Sequence, residues 1–343
     1  MALLTVELPT YNEAENLPVI VHELEELAID IEIVIIDDGS PDGTGKIAQE
    51  LASRYGNIKV VEREKKEGIA SAIAEGLKVA SGKYVVVMDA DGQHPVNMIP
   101  LMLERAASAD IVIASRYVRG GACELGFTRK LVSRVSTALA HLLIPETKKI
   151  MDPLSGFFLF RRELFSDDFV ISDGYKILLM MLAGCRNCSV VEIPYSFGNR
   201  MAGKSKFGLR EMFRYVKLLF KLSDYRVLKF VLVGAIGAVI NELLLFLLVH
   251  QIPLLFASAA AVEASIISNF VINNTWTFAI RKRVNFLKRF VGYHGVAILG
   301  AAINIGLLAL LVFMHFEYLG ANLIGIMFGF TANYLGSEHL VWR

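Results

Sequence analysis

The first 200 residues alternate short apolar runs with amphipathic stretches. Leu3–Leu8 reads as a strand, the turn-rich Pro9-Thr10-Tyr11-Asn12-Glu13 follows it, and a helical pattern then runs to about Ala28. Ile31–Ile36 is rich in β-branched residues, which suits a strand covered on both faces, and it stops at Asp37-Asp38-Gly39-Ser40. Thr44–Tyr55 predicts a helix, Ile58–Val61 a strand and Gly68–Ala80 a helix. Tyr84–Met88 predicts another buried strand, stopping at Asp89-Ala90-Asp91-Gly92, and Asp110–Ala114 a fifth. This alternation predicts an α/β domain with a mainly parallel, Rossmann-like sheet between helices. In such sheets ligands bind beyond the carboxyl ends of the strands. The polar clusters at 9–13, 37–42 and 89–93 all fall at such ends.

From Phe207 the pattern changes. Arg210, Arg214, Lys217 and Lys221 recur on one helical face, while Phe207, Met212, Phe213, Leu219 and Phe220 occupy much of the rest. A basic amphipathic helix next to long apolar runs reads as interfacial, residues 207–227 forming the join. Four apolar spans follow, at about 228–249, 254–278, 290–314 and 318–341. A 22-residue helix is about 33 Å long, enough to cross the hydrocarbon core. The spans contain a repeat: Gly237-Ala238-Val239-Ile240-Asn241 recurs as Gly300-Ala301-Ala302-Ile303-Asn304, and Asn269-Phe270-Val271 as Asn333-Tyr334-Leu335. Trp276 and Trp342 close the two second helices. Two hairpins of two spans each make the repeats parallel. Asn241, Glu242, Glu263, Asn269 and Asn304 are expected to face the bundle interior, either as a polar path or as interhelical hydrogen-bonding groups. Ala279–Arg289 holds five basic residues and no acid, so the positive-inside rule places that loop, both termini and residues 1–206 in the cytoplasm.

Composition sharpens this division. The 343 residues carry a net charge of +1, with 54% hydrophobic and 20% charged positions, and the mean hydropathy is +0.49. Residues 230–343 hold only ten charges, and the other 59 fall in residues 1–229. An all-soluble enzyme and a disordered chain are thereby disfavoured, and the near-zero net charge gives no case for a nucleic-acid partner. Three cysteines cannot build a disulfide framework, and Cys185 and Cys188 lack the second pair a zinc site needs; they read as ordinary cysteines near a strand. Acids interrupt the apolar start MALLTVELPTYNEAEN, so it does not read as a signal peptide.

Chemistry concentrates at the strand ends. Asp89 and Asp91, two residues apart, can share one hard cation, and Gln93 adds a neutral oxygen. Mg²⁺ takes one or two protein carboxylates and completes its shell with substrate phosphates and water, a pattern that suits a nucleotide-sugar diphosphate, whose leaving charge the metal neutralises. Asp37-Asp38 suits hydrogen bonding to a ribose or base, Tyr11 offers a stacking face and Glu13 an acceptor. Each cluster alone reads as a turn; together they are three polar loops aimed at one crevice.

PTYNEAEN, IVIIDDGSPDGT and VVVMDADGQHP resemble the inverting glycosyltransferases of family 2, which have the GT-A fold. SRYVRGG, DPLSGFFLFRR, DGYKILLMML and VVEIPYSFGNRMAGKSKFG resemble the dolichol-phosphate mannose synthases in particular. FVLVGAIGAVIN and SNFVINNTWTF, in residues 228–343, resemble the four-span GtrA-like family. The resemblance implies that Pro9, Tyr11, Glu13, Ile36 and Asp38 hold the nucleotide, and that Asp89, Ala90, Asp91 and Gln93 lie at the diphosphate and metal, Mg²⁺ or Mn²⁺. It implies that Arg116, Arg200 and Lys206 bind phosphates or sugar, the last two in a Gly/Ser-rich stretch, Asn199–Gly208, that reads as a lid over the donor or as a solvated linker.

The implied partners are a GDP-mannose donor, a dolichyl or other polyprenyl phosphate acceptor and membrane lipid. A lipid monophosphate is already an anionic nucleophile, so no general base is required; cations must steer it. Arg116, and Arg129 with Ser133 on one face of an expected helix over 128–142, are candidates for that task. Asp91 and Arg116 are the expected catalytic pair. The same chemistry with UDP-glucose, and a lipid-sugar flippase formed by the spans, remain open readings.

Overall fold

The computed structural model describes residues 2–123, 126–164, 176–185, 187–198, 208–279 and 284–342. Arg200 and Lys206, and the basic residues Arg281–Arg283, lie outside the described residues. The chain divides into two compact units, Met1–Leu222 and Ser223–Arg343.

Unit 1 contains β1 (Leu4–Thr10), α1 (Leu17–Glu25), β2 (Ile31–Asp37), α2 (Thr44–Arg54), β3 (Ile58–Glu62), α3 (Ile69–Val79), β4 (Tyr84–Val87), α4 (Ile99–Ala106) and β5 (Ile111–Ser115). It continues through β6 (Ala122–Cys123), α5 (Phe127–Leu143), β7 (Phe158–Arg161), α6 (Ile177–Gly184), β8 (Val190–Pro194), β9 (Ser196–Phe197) and α7 (Leu209–Leu222). The seven-stranded sheet has the order β3-β2-β1-β4-β7-β5-β8. All pairings are parallel except those of β7, which runs antiparallel to β4 and β5. The five expected strands form within two residues of their expected bounds. β7 and β8 add to them, because short apolar runs such as Phe158-Leu159-Phe160 carry no signal for the direction in which they insert.

Both sheet faces are buried, as the β-branched runs require. Val6, Leu8, Ile33, Ile35, Val86 and Val112 pack under α1, α2 and α4. Val85, Val87, Ile111, Ile113 and Phe160 pack under α3 and α6. Glu7 breaks this pattern. Its side chain is fully buried on β1, an interior strand, over Gly76 of α3, where a Cβ would come within 2.9 Å of the carboxylate. Neither carboxyl oxygen has a hydrogen-bond partner among the described residues.

Burial, reinforced by the nearby Glu32 carboxylate, holds the Glu7 carboxyl well above the ordinary glutamate range. The folded chain therefore keeps a proton that the unfolded chain releases above about pH 4.3, so this group's contribution to stability falls as pH rises through and beyond that value. Glu7→Gln is expected to be more thermostable than the parent at pH 8 and to lose that advantage towards pH 4, as read by thermal unfolding in detergent across the range.

Cys185 and Cys188 are joined as a disulfide, where ordinary free cysteines were expected. They flank the turn between α6 and β8, and spacing alone does not report whether two thiols are brought together.

Unit 2 contains α8 (Arg226–Leu248), α9 (Leu254–Ile272), α10 (Phe286–Phe313) and α11 (Tyr318–Gly336). α9 continues into a π-helical turn, Asn273–Thr277, and α11 into another, Ser337–Val341. Among the described residues three helices, Arg226–Leu248, Leu254–Thr277 and Phe286–Phe313, are long and apolar enough to cross a membrane. The third begins four residues before its expected start and so takes in Lys288 and Arg289. α11, expected as the fourth, is not among them. Asn322, Asn333, Gly325 and Gly329 dilute its hydropathy, but the glycines allow close packing: a Cβ at Gly329 would lie 2.7 Å from the Gly300 carbonyl oxygen.

The repeat is visible in the packing. Asn269 sits against Gly237 and Asn333 against Gly300, where no Cβ would fit. The side-chain oxygens of Asn241, Asn269, Asn304 and Asn333 are buried without partners among the described residues. Glu242 and Glu263 instead face outward from the unit, and Glu263 meets His294 at 3.1 Å. The counterpart of Trp342 is Phe278 rather than Trp276: their rings stack 4.5 Å apart.

Candidate active site

The carboxyl ends of β2, β1 and β4 lie side by side, and their loops are tied together. Asn12 N–H donates to Ser40 Oγ, Glu13 N–H to Thr44 Oγ1 and Ala14 N–H to Asp42. Pro9 is partly exposed at the end of β1 and Glu13 is buried, its carboxylate accepting from the Asn16 amide at 2.7 Å. One face of the Tyr11 ring is covered by Lys66, whose Nζ lies 3.6 Å from the ring centroid. Asp38 is 5% exposed. It accepts from Arg63 at 2.6 Å and from the backbone N–H groups of Glu67 and Gly68 at 2.9 Å each. Ile36 and Ala90 are buried in the core, so any contact of theirs with a ligand is through the backbone.

The second half of the site forms where β4, β5 and β8 end and β7 begins. Asp89 is half-exposed, whereas Asp91 is 2% exposed. Asp91 accepts from Gln93 N–H at 3.1 Å, a tight turn that Gly92 permits by its φ of +77°. The Gln93 side-chain amide donates to the Gly198 carbonyl, and Gly198 N–H returns a bond to Gln93. This places Gly198, the last described residue before the 199–208 stretch, directly beside the Asp89–Gln93 loop. His94 is buried among Phe157, Tyr195 and Phe197, with Nε2 3.6 Å from Asp89. The donor set, two carboxylates and an amide oxygen, fits a hard divalent cation. Among the described residues no group of three His, Cys, Asp or Glu side chains is arranged to hold a metal ion.

Arg116 follows β5. Its Nε and Nη2 form a fork on the fully buried Asp152, at 2.8 and 2.7 Å, and its backbone N–H adds a third bond at 3.0 Å. Burial opposes the guanidinium charge, but the Asp152 carboxylate more than offsets it and holds Arg116 protonated. Asp152 is positioned in turn by Glu192 of β8, which accepts from the N–H groups of Met151 and Asp152. Beside this pair, Lys176 donates to the Leu154 carbonyl at 3.1 Å. Burial and the Arg116 charge pull its ammonium below the ordinary lysine range.

Arg129 is exposed on α5. Ser133, one turn on, accepts from the Tyr117 hydroxyl at 2.7 Å, which brings α5 to the residue next to Arg116. Tyr215 of α7 donates to the Ser136 carbonyl at 2.6 Å. α5 and α7 thus share a surface that exposes Leu131, Val135, Met212 and Phe213 among Arg129, Arg134, Arg210 and Arg214.

The structure therefore brings Tyr11, Glu13 and Asp38 to adjacent strand ends, and Asp89, Asp91, Gln93 and Arg116 to the neighbouring ones. Sequence reasoning assigned no role to Asp152, Lys176 or His94. All three lie inside the motifs above, but the partners of the first two are distant in sequence, Asp152 being 36 residues from Arg116.

Comparison with known proteins places these residues in context. Glycosyl transferase family 2 matches residues 5–169, and the GtrA/DPMS transmembrane domain matches residues 229–342. The dolichol-phosphate mannosyltransferase of Pyrococcus furiosus is 39% identical over 98% of this chain and 99% of its own. The polyprenol monophosphomannose synthase of Mycolicibacterium smegmatis is 38% identical over 59% of this chain and 79% of its own. A crystal structure of glucosyl-3-phosphoglycerate synthase from Mycobacterium tuberculosis has a TM-score of 0.49 at 20% identity, covering 65% of this chain and 80% of that one.

Proposed function

The chain belongs to the dolichol-phosphate mannosyltransferase family of glycosyltransferases, and from that premise we propose that it transfers mannose from GDP-mannose to a polyprenyl phosphate, dolichyl phosphate in particular, at a membrane surface. An oxygen of the lipid phosphate forms a bond to the anomeric carbon, and the bond from that carbon to the nucleoside diphosphate breaks with inversion. The products are a β-linked mannosyl lipid phosphate and GDP.

The observation that carries this reading is the convergence of the Asp89–Gln93 turn and the Arg116–Asp152 fork at neighbouring strand ends. Asp89, Asp91 and Gln93 would hold Mg²⁺ or Mn²⁺. Such an ion, when bound, neutralises the charge that develops on the leaving diphosphate. Tyr11, Glu13 and Asp38, with Pro9 and the backbone at Ile36, form the nucleotide end. Asp152 fixes the plane of the Arg116 guanidinium, leaving its outer donors for phosphate. Arg129 and Ser133 would steer the acceptor phosphate, and the basic, apolar α5–α7 surface suits a lipid headgroup layer. Arg200 and Lys206 complete the donor site in this reading. We assign α11 as a fourth span: 19 residues give about 28 Å, and the π-helical turn lengthens it. In this reading that end of the bundle and the catalytic unit are cytoplasmic, which the basic residues before α10 support by the positive-inside rule.

Purified protein given labelled GDP-mannose or UDP-glucose, a polyprenyl phosphate and Mg²⁺ or Mn²⁺ tests the proposal. Label should enter the lipid phase from GDP-mannose only, and chelator should abolish it. Transfer from UDP-glucose alone overturns the donor assignment.

A further inference from the structure

The two repeats of unit 2 brace each other through arginines. Arg226 opens α8 and Arg289 lies in the first turn of α10, 63 residues later. Each reaches the π-helical turn of the other repeat. Arg226 bonds both oxygens of Glu338, at 3.1 Å each, and Tyr334 donates to the same carboxylate at 3.2 Å. Glu338 is 1% exposed, so this is a buried ion pair.

The matching position in the first repeat, 64 residues before Glu338, is Asn274. Arg289 Nη1 donates to the Asn274 side-chain oxygen, which Trp342 Nε1 also bonds at 3.3 Å. An amide thus stands where the other repeat has a carboxylate. Arg289 is only 6% exposed, and its Nε is buried with no partner among the described residues. The described acids of unit 2 are engaged elsewhere: Glu338 with Arg226, Asp224 with Lys229, Glu263 with His294 and Glu317 with the Gly320 N–H, while Glu242 is on the outward face. The residues before α10 are basic rather than acidic. A buried guanidinium without a counter-charge is strongly unfavourable. Its place at the end of the bundle, in the first turn of a spanning helix, is the depth at which lipid phosphates lie, and basic pockets between spanning helices bind lipid headgroups.

We propose that Arg289 and Asn274 form an anion site for the phosphate of a membrane lipid, which supplies the counter-charge that Glu338 supplies to Arg226. Both residues belong to unit 2, and occupation of the site needs no sugar transfer. Asn274→Asp rebuilds the internal pair and should exclude the lipid.

The test is thermal unfolding and native mass spectrometry of the full chain in neutral detergent, with phosphatidylglycerol, polyprenyl phosphate or phosphatidylcholine added. The parent should gain several degrees and retain one lipid with phosphatidylglycerol, retain a second lipid with polyprenyl phosphate because the acceptor residues of unit 1 also bind it, and do neither with phosphatidylcholine. If the part of the gain that Asn274→Asp removes comes at lower concentration with polyprenyl phosphate, the occupant is an acceptor-type lipid, and if it comes equally with phosphatidylglycerol, the occupant is bulk anionic lipid. Asn274→Asp should start at a higher Tm, show no phosphatidylglycerol-dependent gain and retain one polyprenyl phosphate fewer than the parent, while Lys288→Gln, at the exposed neighbouring charge, should keep the parent's response. An undiminished gain in Asn274→Asp, or an equal gain from phosphatidylcholine, overturns the proposal. Arg289→Met should also lose the gain, but the conclusion does not depend on that variant folding.

Discussion

Asp91→Ala is expected to lower transfer by about a thousandfold while the protein stays folded. Asp91 is buried, and its carboxylate sits at the turn that also presents Asp89 and Gln93. A metal that neutralises a leaving diphosphate contributes several kcal/mol to the transition state, and each 1.36 kcal/mol is tenfold in rate. The alanine variant loses both the proposed ligand oxygen and the acceptor for Gln93 N–H. Asp91→Asn separates the two effects, because its amide oxygen can still accept that bond while the charge is gone. Both variants should lose metal-dependent nucleotide binding in calorimetry, and both should unfold within a few degrees of the parent. Initial rates within tenfold of the parent would show that this carboxylate does not hold the metal.

Asp152→Asn should cost both stability and rate, for a different reason. Asp152 is fully buried and accepts three bonds from Arg116. Its amide replacement turns an NH₂ towards a guanidinium and leaves a buried cation unpaired, a loss of about 3–5 kcal/mol. For a domain of this size that lowers Tm by roughly 10 °C, at about 2–4 °C per kcal/mol. A guanidinium no longer held in its plane also loses its aim at phosphate, and a displacement near 1 Å can cost about a hundredfold. The double variant Arg116→Met/Asp152→Asn removes the stranded charge, so it should be more stable than Asp152→Asn alone yet no more active. A double variant less stable than either single change would mean that the pair is not coupled in this way.

Much of the candidate site was legible because local chemistry marks it. A β-branched run that stops at Asp-Asp-Gly-Ser or Asp-Ala-Asp-Gly announces a strand end with polar groups, and parallel topology places such ends on one edge. Asp38 shows the limit of that logic. Its position at a strand end was readable, but its capture by Arg63 and by the backbone of Glu67 and Gly68 depends on how the loop after β3 returns. Tyr11 is similar: the aromatic face was expected, and the Lys66 that covers it was not. The fourth span was read from apolar character, whereas α11 trades hydropathy for glycine contacts that only packing reveals.

The sequence by itself determined the division into a charged catalytic unit and an apolar bundle, the alternation that builds the sheet, the repeat, and the carboxylates at the end of β4. These follow from periodicity and turn chemistry, which act over a few residues. Tertiary structure alone decided which charge meets which. Asp152 closes on Arg116 across 36 residues and Glu338 on Arg226 across 112, while Arg289 receives only an amide. Such pairings are set by the path of the whole chain. Burial then makes them consequential, because a charge removed from water depends on the partner that the fold brings to it.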